Sequence, residues 1–188
     1  SILIDPKKNI LKNKWLNSLL DEIAFLKRNG KNIIIVSSGS IALGKSVLNL
    51  TSKKLRLDES QASAAIGQIK LAQAYDLILK KYNIYTAQIL LTSDDSQNRR
   101  RYLNIRSTFK SLLNMGVIPI VNENDTVATE EIKFGDNDRL AAQVALITEA
   151  NLLILLSDID GLYDKDPNIN PDAKHLALIK EVTRKMFN

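Results

Sequence analysis

The sequence contains no cysteine and a single histidine, His175. The first absence excludes disulfides and thiolate metal sites, and it fits a cytoplasmic protein. Together the two leave no parts for a thiol nucleophile or a Ser-His triad. His175 lies in a polar stretch, where a solvated side chain accounts for it. No apolar run approaches the ~18 residues that span a bilayer, so no membrane partner is expected. No basic stretch followed by an apolar one marks a secretory leader, although the sequence opens on Ser1 rather than Met. Internal repeats, low-complexity tracts and linkers are also missing. The only compact basic run, Arg99-Arg100-Arg101, has no interleaved aromatics, which argues against nucleic acid.

What is present is ordinary for a globular chain. The 188 residues fit one domain with a sizeable core, at 45% hydrophobic and 25% charged. The formal net charge of +5 reads as a solvated, lysine-rich surface. It would also draw anions such as nucleotides or carboxylates.

Trp15, Leu16, Leu19, Leu20, Ile23 and Leu26 recur at helical spacing, and Asn29-Gly30 supplies a stop. Residues 32–37 are a β-branched run that predicts a buried strand. Residues 58–82 predict a helix and 85–91 a strand. Residues 94–114 predict a helix ending at Gly116. Residues 117–121 predict a strand, with Pro119 an awkward member. Residues 138–149 predict an Ala-rich helix, and 152–157 a fourth strand running into Asp158. Strands alternating with helices mean βαβ units and a parallel sheet covered on both faces.

In such sheets ligands bind beyond the carboxyl ends of the strands. The segments there are Ser37-Ser38-Gly39-Ser40, Thr92-Ser93-Asp94-Asp95, Asn122-Glu123-Asn124-Asp125 and Ser157-Asp158-Ile159-Asp160. All are small, polar or acidic. The first offers free N–H groups and a helix dipole for an anion. A plain turn with a serine N-cap would look the same. The third, with Gly135-Asp136-Asn137-Asp138, supplies carboxylates and amides that hold an ammonium or a hydrated cation. Asx turns and a helix cap are the bland alternative. The density of these groups at a strand end favours a ligand site. Ser157 to Gly161 reads either as an acidic turn or as a place to orient a metal–nucleotide complex.

Gly39 to Ser46 also matches the Walker A pattern letter for letter. A phosphate cradle needs consecutive N–H groups turned inward. Ser40-Ile41-Ala42-Leu43 instead reads as a helical turn with apolar side chains to bury. A helix over 41–48 carries Lys45 away from the Gly39 turn.

Taken together, Val36 to Gly44, Ala65-Ile66-Gly67-Gln68, Leu91 to Asp95, Arg100 to Asn104, Ile118 to Thr129, Phe134 to Asp138 and Leu155 to Tyr163 resemble the glutamate 5-kinases of the amino-acid kinase family, in order and spacing. Ile118 to Thr129 is the most specific stretch. The resemblance implies an open αβα sandwich with a mostly parallel central sheet. It implies ATP-dependent phosphorylation of the γ-carboxylate of L-glutamate, the first step of proline biosynthesis. It assigns substrate binding to Ser38, Gly39, Asn122, Asp125, Asp136, Asn137 and Asp138. Ser157 and Asp158 fall on the nucleotide side, with Asp158 orienting catalytic lysines. ATP and Mg²⁺ are the implied cofactors, with no metal held by protein residues alone. Homo-oligomers and proline feedback inhibition also belong to the family.

Residues 1–188 then form a single amino-acid kinase domain, incomplete at both ends. The family's first lysine strand, its later glycine-rich loop with a second lysine, and the RNA-binding-like domain of some members have no counterpart here. This chain alone is therefore expected to have little or no kinase activity. Thr is usual where Ser157 stands. Other members of the family, acting on carbamate, N-acetylglutamate, aspartate or a nucleoside monophosphate, are the nearest alternatives. A P-loop NTPase and a non-catalytic amino-acid sensor are more distant ones.

Overall fold

The computed structural model describes residues 2–5, 8–52, 55–96, 98–127 and 136–180. It divides into two compact units, one of which covers Leu3–Ile154 and the other Leu155 onward. The first unit opens with a short antiparallel hairpin, β1 (Ile4–Asp5) and β2 (Ile10–Leu11). There follow α1 (Asn13–Arg28), β3 (Ile35–Val36), α2 (Ser40–Val47), α3 (Leu57–Leu79), β4 (Thr86–Leu91), α4 (Arg99–Asn114), β5 (Ile118–Glu123) and α5 (Asp136–Thr148). Strands β3, β5 and β4 form a parallel sheet in that order. The expected α/β architecture, a parallel sheet flanked by helices, is what the chain adopts.

The alternation of β5 explains why both faces are covered. Ile118 and Ile120 join a cluster with Leu16 and Leu20 of α1 and Leu71 and Tyr75 of α3. Val121 points the other way, into a cluster with Leu91, Phe109 of α4 and Val144 and Ile147 of α5. Successive strand side chains face opposite sides, so one strand supplies both cores. Each fully buried leucine contributes about 2 kcal/mol through lost apolar surface.

Pro119 fits this central strand for a geometric reason. Ile118 donates its N–H to Tyr85 on the β4 side. Its neighbour Pro119 therefore turns its blocked nitrogen toward β3, which pairs only with Ile120 and Val121. No ladder bond is lost there.

Helix boundaries follow local chemistry. α1 stops at Asn29, whose N–H bonds Phe25 and Leu26 carbonyls, and Gly30 takes φ +75°. α4 starts at Asn98, whose side chain accepts from the N–H groups of Arg100 and Arg101.

Two expected strands change. The run 32–37 contracts to Ile35–Val36. Leu152 to Leu156 forms no strand, and its five side chains are 41–73% exposed. Four of the five are leucines, which carry little β preference of their own. A strand also needs a neighbour to take its backbone bonds, which apolar composition cannot supply. In the second unit, β6 (Leu162–Tyr163) pairs antiparallel with β7 (His175–Leu176). His175 is exposed, with its ring edge-on to Tyr163 at 5.2 Å.

α2 crosses α3 with backbone touching backbone. A β-carbon on Gly67 would lie 1.7 Å from the Ser40 carbonyl oxygen, and one on Gly44 would lie 1.7 Å from that of Ser63. Only glycine permits this approach. Gly67→Ala should therefore force the helices apart and cost about 3 kcal/mol, near the upper end for overpacking. Gly30→Ala meets no atom within 4 Å and carries only the strain of its positive φ, about 1 kcal/mol. Urea unfolding of the two variants should rank them in that order, and equal losses would contradict the contact.

Tyr75 is buried in the core, with its hydroxyl 2.9 Å from Ser37 Oγ. Burial raises its pKa to about 12 from 10.0, and the Ser37 bond offsets part of the rise. A raised folded pKa favours the neutral phenol. Its stabilisation is complete below pH 10 and is lost as pH climbs through about 12. Thermal melts should show the wild-type protein losing stability faster than Tyr75→Phe across that window. Parallel alkaline profiles would count against the linkage.

Candidate functional site

Because β3, β5 and β4 run parallel, their carboxyl ends emerge at one edge of the sheet. Backbone bonds carry the pairing into the loops. Ser37 N–H donates to Val121 O at 2.9 Å, and Asn124 N–H donates to Leu91 O at 2.7 Å. Three of the four polar segments read from the sequence are thereby held side by side.

The Ser37 to Ser40 segment makes a tight turn. Gly39 takes φ 107° and is the N-cap of α2, so glycine rather than serine starts the helix. That left-handed conformation is costly for any residue with a β-carbon. Ser38 is half-buried beside it, while Ser37 and Ser40 are buried. Residues 40–47 are helical, and Lys45 Nζ donates to the Ser52 carbonyl. The Walker A match is therefore not a phosphate loop.

Asn122 and Asp125 are 4% and 5% exposed, which is unusual for polar side chains. Asn122 lies on the face of β5 that carries Ile118 and Ile120, so it turns toward α2. There its Nδ2 donates to Ser40 Oγ at 3.3 Å, and Ser40 Oγ donates to Asp125 Oδ2 at 3.2 Å. Asn122 Oδ1 accepts the Glu123 N–H at 2.9 Å, which fixes the amide orientation. Beneath this, Gln68 of α3 donates to the Glu123 carbonyl at 3.2 Å and accepts from Gln88 of β4 at 3.3 Å.

The second acidic motif is described from residue 136 onward, and Gly135 lies outside the described residues. The backbone of Asp136 opens α5. Asn137 is half-buried, and its Oδ1 is buried with no partner among the described residues. A buried acceptor left without a donor is costly in a folded protein, and a ligand N–H is one remedy. Asp138 is exposed.

Two of the acidic segments behave otherwise. Asp95 accepts from the Thr92 N–H at 2.7 Å, the Thr92 hydroxyl at 2.8 Å and Arg101 at 3.1 Å. Partial burial pushes its carboxyl up, but these donors together hold it below the usual carboxylate range. Asp95 is thus satisfied by Thr92 of its own loop and Arg101 of α4. In the second unit, Ser157 and Asp158 form an exposed turn. Ser157 Oγ donates to Asp158 Oδ1 and accepts the Ile159 N–H, both at 3.3 Å.

Sequence reasoning placed Ser40 in a strand-end segment and Gln68 in a family-like stretch, but gave neither side chain a role in the site. Ser40 opens a helix whose next three residues are apolar, and Gln68 sits in an alanine-rich helix. Their partners are 82, 85 and 55 residues away, so no local pattern links them. Among the described residues no three acidic or imidazole groups converge on a metal position, and no helix is long and apolar enough to cross a membrane.

The arrangement is a buried amide, hydroxyl and carboxylate beside a glycine turn at a helix start. It can accept from an ammonium group and donate to a carboxylate, which suits an amino acid. Comparison with known proteins points the same way. The chain is 54% identical to the glutamate 5-kinase of Ruegeria sp. strain TM1040 over 97% of its length and 50% of the relative's. It is 56% identical to that of Agrobacterium fabrum over 97% and 47%. It is 54% identical to that of Paracoccus denitrificans over 92% and 47%. The chain thus spans about half the length of these curated relatives. The model of the amino acid kinase family matches residues 1–185. On that match, the chain belongs to the amino acid kinase family.

Proposed function

We propose that the protein carrying this chain transfers the γ-phosphoryl group of ATP to the γ-carboxylate of L-glutamate. The products are γ-glutamyl phosphate and ADP, and the step opens proline biosynthesis. The observation that carries this reading is the buried Asn122–Ser40–Asp125 cluster at the strand ends, beside the Ser38-Gly39 turn. The similarity to proteins named glutamate 5-kinase supports the choice of substrate.

The chemistry asks little of side-chain acids and bases. A carboxylate nucleophile is already anionic and needs no general base. Catalysis then rests on positioning and on neutralising charge spread over the transferring phosphoryl. In this reading Asp125 takes the substrate ammonium. Ser38 and Gly39, at the start of α2, take a substrate carboxylate through N–H groups. Asn122 braces Asp125, and Asn137 offers its unpartnered oxygen to a substrate N–H. Asp136 and Asp138 complete the loop.

Ser157 and Asp158 are assigned to the nucleotide side, with Asp158 orienting lysines of the longer protein. Mg²⁺ bound with ATP supplies charge neutralisation, and it characteristically takes one or two carboxylates plus phosphates and water. Asp158 fits that requirement as an exposed carboxylate. A single amino-acid kinase domain, a homo-oligomer, feedback by proline and a cytoplasmic location belong to the same proposal.

An acceptor screen of the full-length protein, read by ADP release, tests the substrate. L-glutamate should give the signal, while carbamate, N-acetylglutamate and aspartate should not. A signal from one of these and none from glutamate would overturn the reading. Asn122→Ala should raise the glutamate KM about tenfold, the usual scale for one hydrogen bond in a charged network. Lys45→Ala should leave nucleotide affinity unchanged in a direct titration, and its loss would revive the Walker A alternative.

A further inference from the structure

Gly67, Leu71 and Tyr75 of α3 are spaced four residues apart, and all three are buried. Residues at that spacing share one helix face and form a ridge along it. The ridge meets the Ser37 to Ser40 turn at both of its ends. Gly67 lies against the Ser40 carbonyl, where no β-carbon would fit. Further along, the Tyr75 hydroxyl bonds Ser37 Oγ at 2.9 Å. Leu71 sits between them, in the cluster that holds Ile118 and Ile120 of β5.

The backbone of the turn is tied on the same two sides. Ser37 N–H donates to Val121 O at 2.9 Å, and Leu43 N–H donates to the Gly39 carbonyl at 3.0 Å. Ser38 and Gly39 stand between these ties. Ser37 Oγ also lies 3.5 Å from the Ser38 carbonyl oxygen, a long and weak bond. In a trans peptide the carbonyl and the following N–H point opposite ways. With the Ser38 carbonyl turned toward the Ser37 hydroxyl, the Gly39 N–H is turned away from it. The place of the Ser37 hydroxyl therefore bears on the tilt of that peptide, and Tyr75 is one of the groups that fix this place. Tyr75 is 1% exposed, so it cannot itself touch a ligand at the turn.

We propose that Tyr75 is a positioning residue for the amino-acid acceptor, holding Ser37 so that the Ser38-Gly39 turn presents its N–H groups to a substrate carboxylate. This rests on the acceptor-site reading given above and adds to it a residue that touches no substrate. Loss of the phenol hydroxyl leaves the ring packing in place and slackens one of the bonds on the turn. Hydrogen bonds weaken steeply as their angle departs from linear, so a tilted peptide holds a carboxylate less well. Amino-acid binding then weakens while nucleotide binding does not. A tyrosine that served packing alone would leave both KM values unchanged when only its hydroxyl is removed.

The test uses the full-length protein, with glutamate and ATP kinetics and a thermal melt for each variant. Tyr75→Phe should raise the glutamate KM about fivefold, the scale of one neutral hydrogen bond. The ATP KM should stay within about twofold. Ser37→Ala should raise the glutamate KM to a similar degree, and the double variant should add nothing further, because both changes break the same bond. Additive effects, or equal rises in both KM values, would overturn the proposal. A wild-type protein that releases no ADP with glutamate would sink the acceptor-site reading, and this proposal with it. Glutamate turnover with Tyr75→Phe silent would sink only the role of Tyr75. Should one single variant fail to fold, the other decides by the same comparison of glutamate and ATP KM values.

Discussion

At the crossing of α2 and α3, carbonyl oxygens occupy the space that a β-carbon on Gly44 or Gly67 would need. This contact sets the height of α2 over the sheet, and everything at the strand ends is measured from it. Ser40 is placed by the contact, and its hydroxyl bonds the Asn122 and Asp125 side chains. α3 supports the same region twice more. Tyr75 bonds Ser37 at the start of the turn, and Gln68 bonds the Glu123 carbonyl at the end of β5. One long helix thus braces two loops that come from different strands.

Asp125 is buried, and its Oδ2 accepts the Ser40 hydroxyl. The Asn122 amide donates to that hydroxyl in turn. Buried polar networks are costly when half satisfied. Among the described residues, two buried side-chain oxygens have no partner, Ser63 Oγ and Asn137 Oδ1.

Much of the architecture was legible from residue order. The 3.6-residue period of α1 and the β-branched or apolar runs of β3, β4 and β5 predicted element type and the parallel sheet. The Walker A pattern misled only as a string, since Ile41, Ala42 and Leu43 already argued for a helix. The failure at Leu152 to Leu156 has a plain cause. An apolar run states that burial is favourable, not which neighbour provides it. The Asp94-Asp95 segment had the composition of a ligand loop, but the Asp95 carboxylate is taken by Thr92 and Arg101.

The sequence by itself determined the sheet's direction, the end at which a ligand site is expected, and the family resemblance carried by Ile118 to Thr129. Those features rest on local periodicity and on residues adjacent in the chain. Only the tertiary structure decided which polar groups meet. Ser40 reaches Asn122 and Asp125 across 82 and 85 residues, and the glycine contact that positions it joins two helices. No local pattern encodes such a meeting, because packing distance depends on where whole helices settle against the sheet.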